Sequence, residues 1–586
     1  MKIKLNIKNH GELEFDSGIT TNEIAKELKL ESKPFLGKIN DVRINPNQPI
    51  TESGDFKFRL DPMCACAWQE ANLIAGLAVF AHLQEQDIAI EVTDIKVDDF
   101  QFFVSFKTNK NISEKQLPLI EGKVLKALSK NPDYSEHSPL DANQVKFLKL
   151  RTVSGASEVD GVAVNTINGI AAQTKDVLEQ VVAVIEERES RDHRKIGKDL
   201  DLFFIDSTSG KGLPIWLPNG VALKHTIRDF IIEQENKQDY WQVETPVLGS
   251  SELYKTSGHY FHYKDGMFPE MINQEGEEFI LRPMACPHHV LVYKQKPRSY
   301  RDLPIRIAEQ VKQYRYEASG ALIGLERVRA MELTDGHLFL REDQLAHEIE
   351  LSYDLIESTL KKFEIEIDYI ELALHDPADK EKYHGDSEMW TKSEAILKDF
   401  LDKRGVEYVA KDGEAAFYGP KIDIQIKTAL GHIITVSTIQ LDFLLPERFD
   451  INYINSEKEL IRPIMIHRGH IGTYERFISV LLEQTKGDLP MWLAPQQAII
   501  MPVNLEHHSE YADEVYKLLK NSKVRVSMDD RNERLSYKIR EAQTSKVKTQ
   551  IIIGDDEVNN RTVSYRFYGS EETHTVSLDE IVNIYK

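Results

Sequence analysis

Hydrophobic and polar positions alternate strictly at the start of the chain. "KIKLNIKN" and "GELEFDSG" put an apolar side chain at every second position, with a Gly turn between them, and predict a β-hairpin. The period then lengthens. "TTNEIAKELKL" carries a Thr cap, a Glu two or three positions on, and apolar residues at helical spacing. "DVRINPNQPI" and "GDFKFRL" return to short strands. A β-rich unit with one helix over residues 1–60 suits a ubiquitin-like β-grasp.

Residues 61–187 mix the two periods. "CAWQEANLIAGLAVFAHLQEQ" predicts an amphipathic helix, "FQFFVSFKT" a strand, and "SEKQLPLIEGKVLKALSK" a second helix. "DVLEQVVAVIEERESRDHRKIGKDLDLFF" predicts one long charged helix leading into the next domain. Residues 188–490 form the largest block. The stretch from "GLPIWLP" to "YWQVETPVL" predicts a short strand pair, a helix, and a strand stopped at Pro246. "AAFYGPKIDIQIKTALGHIITVSTIQLDFLLP" alternates with no room for crossover helices, so its strands must pair antiparallel. In residues 491–586, "QAIIMPV", "KVRVSMD" and "TQIIIGD" interleave with helical stretches and predict a small, mainly parallel α/β domain. The whole reads as an α+β multidomain protein without internal repeats.

Composition narrows the setting. The 586 residues are too many for one core. No apolar run approaches the ~20 residues needed to span a bilayer, and the first residues lack the apolar block of a signal peptide. Three cysteines, Cys64, Cys66 and Cys286, make no disulfide framework and point to a reducing cytosol. The net charge of −22 argues against nucleic acid, but it is unevenly spread. Arg282–Arg315 holds eight Lys/Arg against two Asp/Glu, and Lys520–Lys548 holds nine against four. Because screening acts over about 10 Å, such stretches can hold phosphates locally. On composition alone, solvated faces of mixed charge explain them better.

Candidate chemistry gathers in the largest block. "YRYEASGALIGLERVRAMELTDGHLF" sets Arg315, Glu317, Arg327 and Arg329 around a loop. Arginine offers a planar fork for phosphate or carboxylate. Glu317, two residues from Arg315 on a strand, shares its face. "HRGHIGTYERFISVLLEQ" places Arg476 at a helix start after two glycines, a phosphate site on physical grounds. "LRPMACPHHV" sets Cys286 just before His288 and His289. Taken alone, Cys286 reads as a small buried hydrophobe, with metal ligation as the alternative.

These segments together resemble the class II aminoacyl-tRNA synthetases, and among them the bacterial threonyl-tRNA synthetases. The strand ending at Pro246 looks like motif 1, "YRYE" and its loop like motif 2, and "IGTYERF" like motif 3. "RDHRKIGKDLDLFF", "RSYRDLPIRIAEQ", "FYGPKID", "IQLDFLLP" and "MWLAP" match the family nearly word for word. The resemblance covers the whole chain and is weak over 61–187. It implies a β-grasp domain at 1–60, a degenerate editing-like domain at 61–187, an antiparallel-sheet catalytic domain at 188–490 and an anticodon-binding domain at 491–586.

The resemblance also implies roles. Cys286, His337 and His467 match the family's zinc ligands, three donors with an open fourth position. His288 and His289 then read as packing or tRNA-facing. Arg315 should hold the ATP α-phosphate and the amino-acid carboxylate, and Glu317 the adenine amino group. Arg327 and Arg476 should bind the terminal phosphates, with Mg²⁺ bridging them. Asp335 should accept from the threonine hydroxyl. Met284, Tyr418 and Gln440 should line the amino-acid pocket, with Gln440 also reaching ATP and Lys421 close by. Asn532, Glu557 and Arg566 match positions that read anticodon bases. The implied partners are ATP, L-threonine, tRNA(Thr) and a second copy of the chain, through residues 222–250.

Some positions depart from the family. Ala285 and His288 replace Asn and Gly, Met331 stands where an aromatic residue stacks on adenine, and Leu333 replaces a pocket glutamine. The HxxxH pair of the editing domain is missing from 61–187, where the only histidines are His82 and His137. A synthetase-like regulator that senses threonine or RNA without charging would be expected to lack Arg315 or Arg476; both are present. A zinc hydrolase would be expected to carry an HExxH-like pair.

Overall fold

The computed structural model describes residues 2–585 except 8–9, 31–35, 41, 45–47, 60–64, 87, 89–90, 99, 109–111, 131–144, 160–161 and 384–386. They fall into two compact units, 1–187 and 188–586. Among the described residues no helix is long and apolar enough to cross a membrane.

In the first unit, Lys2–Ile7 and Gly11–Asp16 form the antiparallel hairpin the alternation predicts, with Ile3, Leu5 and Ile7 buried. Lys2–Ile7 also runs parallel to Gly54–Arg59, so the five-stranded sheet is mixed. Thr20 and Glu23 close a capping box on helix Thr21–Glu27. A second, antiparallel sheet has the order Phe147–Val159, Val162–Ala172, Gln101–Lys107, Glu91–Asp98. Helices Ala65–Glu85 and Leu117–Leu128 bury their apolar side chains against it. The hairpin over 147–172 was not foreseen. Its register shifts at Leu150/Thr152 and again at Gly155/Ser157, and such bulges break the period of two that alternation relies on.

The single helix expected over 176–204 is two, Lys175–Ser190 and His193–Asp199. Asp192 breaks the run. Its carboxylate accepts from the Arg194 N–H at 2.8 Å and so caps the second helix. The first helix packs Val177, Val181 and Ile185 on Ile170.

The second unit is built on an eight-stranded sheet. Its main elements are α1 (Pro218–Lys237), β1 (Trp241–Gln242), α2 (Cys286–Lys294), β2 (Ile305–Tyr314), β3 (Ala330–Leu340), β4 (Tyr369–Leu374), β5 (Tyr408–Asp412), β6 (Lys421–Lys427), β7 (Ile433–Asp442), β8 (Ile464–Thr473) and α3 (Tyr474–Thr485). The strand order is β1-β2-β3-β8-β7-β6-β4-β5. All neighbours are antiparallel except the outer pairs β1/β2 and β4/β5. The strand expected to reach Pro246 is only two residues long. Past it, the Thr245 N–H turns from the ladder to the Glu309 carboxylate, 3.0 Å away.

At the C-terminus, Val526–Met528, Ala498–Pro502 and Thr549–Ile553 run parallel. Thr562–Phe567 and His574–Ser577 then extend that sheet antiparallel, so it is mixed rather than mainly parallel.

Candidate active site and metal centre

Strand alternation aims a row of side chains into one cavity. On β3, Met331, Leu333, Asp335 and His337 occupy every second position and share a face. His337 lies directly opposite His467 on β8, and His467 opposite Gln440 on β7. Cys286 enters as the first residue of α2. The cavity measures about 270 Å³, and Met284, Arg315, Glu317, Arg327, Tyr418 and Arg476 are among the other residues that line it. Thus every residue to which the resemblance gave a part in threonine, ATP or metal binding lines one space. Gly336 faces the other way. A Cβ there would come within 2.6 Å of the Arg468 guanidinium, which is buried in an ion pair with Glu235 of α1.

The polar groups are held in place. The Tyr418 hydroxyl donates to Gln440 Oε1 at 2.7 Å, and its ring stacks on His467 with centroids 4.7 Å apart. Gln440 Nε2 donates to Thr438 Oγ1 at 3.1 Å. Arg315 donates to the Pro283 carbonyl and to Gln313 Oε1, both at 3.3 Å. Arg476 opens α3, where Thr473 Oγ1 accepts from its N–H at 3.0 Å. Burial, and then the charges of Arg315 and Arg327, lower the Arg476 guanidinium to about 10. A buried guanidinium disfavoured by two neighbouring ones marks a site that an anion relieves.

Other positions differ from expectation. β2 ends at Tyr314, so Glu317 is on a loop and not on a strand with Arg315; its N–H turns back to the Arg315 carbonyl at 2.9 Å. Arg329 braces that loop by donating to the Glu317 carbonyl at 2.8 and 2.9 Å. Lys421 sits opposite Gln440 in register but pairs with the buried Asp423 and does not line the cavity. In the C-terminal region, Asn532 is exposed. Glu557 accepts from the Gly554 N–H at 2.8 Å and from the Ser564 hydroxyl at 2.5 Å, so both its oxygens are engaged by its own chain. Arg566 donates to Thr573 Oγ1 at 2.8 Å.

Cys286 Sγ and one ring nitrogen from each of His337 and His467 lie within 4.8 Å of one another, all three residues buried. Hydrogen-bond partners assign the ring protons. His467 Nε2 is 2.7 Å from Asp442 Oδ2, and an ionised carboxylate only accepts, so His467 Nδ1 keeps its lone pair. That Nδ1 is 3.0 Å from His337 Nε2. On the far side, His337 Nδ1 is 2.7 Å from His289 Nδ1, and His289 Nε2 is 2.9 Å from Glu309 Oε2. Glu309 Oε2 accepts from His289 Nε2–H, His289 Nδ1 accepts from His337 Nδ1–H, and His337 Nε2 is left bare. Two facing lone pairs repel unless a cation binds both. Zinc takes nitrogen at about 2.0–2.1 Å and thiolate at about 2.3 Å, so its ligand atoms lie about 3–4 Å apart, and this donor set fits. Burial, then the Asp335 and Asp442 carboxylates, push the Cys286 thiol well above its ordinary value, so a thiolate there needs a cation. Burial, then His289 and His467, keep His337 neutral.

Sequence reasoning treated His288 and His289 alike. His288 does pack, buried against the Tyr254 ring with centroids 6.4 Å apart. His289 is instead the direct partner of a candidate ligand. Its spacing of three from Cys286 places both on one side of the first turn of α2, a usable signal. Glu309, Asp442 and His259 were also missed. His259 is buried with Nε2 3.9 Å from Cys286 Sγ, and burial, followed by His467, lowers it to about 3. No local spacing marks these three; only the fold brings them in.

The chain is similar to known proteins over nearly its whole length. Residues 268–485 match the family model described as the tRNA synthetase class II core domain (G, H, P, S and T), and residues 497–586 match the anticodon binding domain. The threonine–tRNA ligase of Staphylococcus carnosus is 41% identical over 637 aligned residues, covering 99% of this chain and 97% of that protein. The threonine–tRNA ligase of Streptococcus uberis is 41% identical, covering 97% and 96%. A solved structure described as the RNA binding domain of threonyl-tRNA synthetase from Cryptosporidium parvum superposes with a TM-score of 0.64 at 37% identity, over 67% of this chain and 97% of that one.

Proposed function

Because this chain belongs to the threonine–tRNA ligase family, we propose that it activates L-threonine with ATP and transfers it to tRNA(Thr). In the first step a threonine carboxylate oxygen attacks the α-phosphorus, giving threonyl-adenylate and pyrophosphate. In the second the terminal ribose hydroxyl of the tRNA attacks the adenylate carbonyl and AMP leaves. The observation that carries this reading is the meeting of an arginine cluster with a Cys/His/His donor set in one cavity of about 270 Å³.

The chain's own residues have distinct parts. Arg315 holds the α-phosphate and the threonine carboxylate, where charge grows in the transition state. Arg327 and Arg476 hold the outer phosphates of an ATP that arrives with Mg²⁺. Glu317 accepts from the adenine amino group, and Met331 covers the ring face. Tyr418 and Gln440 shape the amino-acid pocket with Met284, and Asp335 accepts from the substrate hydroxyl. Cys286, His337 and His467 would hold a zinc ion, which would supply Lewis-acid binding for a β-hydroxyl and none for a methyl.

Further parts of the reading rest on the resemblance. Residues 1–60 act as a β-grasp domain, 61–187 as an editing-like domain without editing chemistry, 188–490 as the catalytic domain, and 491–586, with Asn532, Glu557 and Arg566, as the anticodon reader. The enzyme works in the cytoplasm as a homodimer through residues 222–250. That segment carries exposed Trp241, Val247 and Leu248, beside a groove of about 1050 Å³. The test is pyrophosphate exchange into ATP. Exchange that depends on threonine supports the reading, and exchange with no amino-acid dependence, or none at all, contradicts it.

A further inference from the structure

We infer that His289 and Glu309 are positioning residues that choose which nitrogen of His337 is free to bind metal. This rests on the metal reading above and goes beyond it to the groups that build the site. The two histidine ligands are held differently. His467 meets its carboxylate, Asp442, directly at 2.7 Å. His337 reaches one only through a second imidazole, His289, to Glu309. Every member of that chain is buried. With a direct carboxylate the ligand's tautomer has one solution. With an intervening imidazole the direction of the whole chain depends on whether its far end accepts or donates.

Glu309 sets that direction, and its own surroundings fix it in turn. Oε1 accepts from the Thr245 N–H at 3.0 Å and from Arg282 Nη2 at 3.1 Å. Oε2 accepts from the Thr245 hydroxyl at 2.7 Å and faces His289 Nε2 at 2.9 Å. Two obligate donors therefore converge on Oε1. A Glu309→Gln side chain, the same shape without the charge, must keep its carbonyl oxygen at that point. Its NH₂ group then lies at the Oε2 position and donates to His289 Nε2. The chain of protons reverses: His289 Nδ1–H donates to His337 Nδ1, and the remaining proton of His337 sits on Nε2, the atom facing His467. The metal-binding lone pair is lost without removing any ligand. Outer partners of this kind are worth about 10–100-fold in metal affinity.

The experiment measures zinc affinity of the purified full chain by competition with a chromophoric chelator, with metal content checked by elemental analysis. Wild type should hold one zinc per chain and Cys286→Ala should lose it. Glu309→Gln and His289→Ala should each bind zinc 10–100-fold more weakly while unfolding cooperatively. His289→Asn, whose side-chain oxygen can stand where Nδ1 stood, should recover much of the loss; a purely space-filling role for His289 predicts no such recovery. If wild type holds zinc through Cys286 but Glu309→Gln and His289→Ala bind it with unchanged affinity, the relay is wrong and the metal site stands. If wild type binds no zinc, the metal reading fails and the relay fails with it.

Discussion

The cavity of the eight-stranded sheet and the sheet of residues 91–172 both bury polar side chains, but they use them in opposite ways. In the second sheet the polar groups close on one another. Asn72 Oδ1 accepts from the Ala171 N–H at 2.9 Å and its amide donates to the Phe100 carbonyl at 3.3 Å, tying helix Ala65–Glu85 to the strands. Around it, half-buried Asn168 bonds half-buried Gln101 at 2.8 Å, and half-buried Ser105 meets Thr166 at 2.9 Å. In the cavity, partners behind the row leave lone pairs and guanidiniums pointing forward. His337 and His467 are each supported from the rear, and Arg315 and Arg476 are braced by carbonyls. Buried polar groups that satisfy each other stabilise a fold; those braced from behind and open in front make a site.

The largest expected effect is at the front of the cavity. Arg315→Ala should lower threonine-dependent pyrophosphate exchange by about 10²–10³-fold, the size of a lost transition-state contact, with the protein still folded by circular dichroism. Unchanged exchange would remove Arg315 from the chemistry. Next, Cys286→Ala should leave elemental analysis showing less than stoichiometric zinc, since a soft thiolate is the ligand that selects the ion. Stoichiometric zinc in that variant would break the assignment.

In the other region, Asn72→Ala should cost stability and spare the chemistry. The buried Ala171 N–H loses its acceptor, worth about 1–3 kcal/mol, measurable as a lower midpoint of urea denaturation. A large drop in exchange with unchanged stability would reverse the contrast. The smallest effect is the most telling. Pre-formed seryl-tRNA(Thr) offered to the enzyme should deacylate only at its spontaneous rate, because the described helix Ala65–Glu85 presents Asn72 and Gly76 in its buried part and no imidazole pair. Clear deacylation would show a hydrolytic site in residues 61–187. Cys64 and His137, and the side chain of Cys66, lie outside the described residues.

Local patterns made much of this legible. The first hairpin and the capping box at Thr20 follow from period and cap chemistry. The antiparallel pairing of β6 and β7 follows from loop length alone. What stayed hidden was of two kinds. Bulges at Leu150/Thr152 and Gly155/Ser157 erased the alternation of a long hairpin, and Asp192 inside a charged run divided one apparent helix into two. In the site, the lining residues were reached through motif resemblance, while their supports were not. Glu309 and Asp442 lie on strands whose register, not spacing, carries them behind His289 and His467.

The central claim is that this pocket reads a hydroxyl through a built polar site and not by shape. Threonine and valine fill the same space, and an apolar pocket separates such a pair by only about 10²-fold, whereas a site made to bind the hydroxyl rejects the analogue lacking it by about 10⁴–10⁵-fold. Pyrophosphate exchange measured with each amino acid on the zinc-loaded enzyme decides between them. A ratio of kcat/KM for threonine over valine above about 10⁴ is the predicted result, and a ratio of about 10² or less would contradict it.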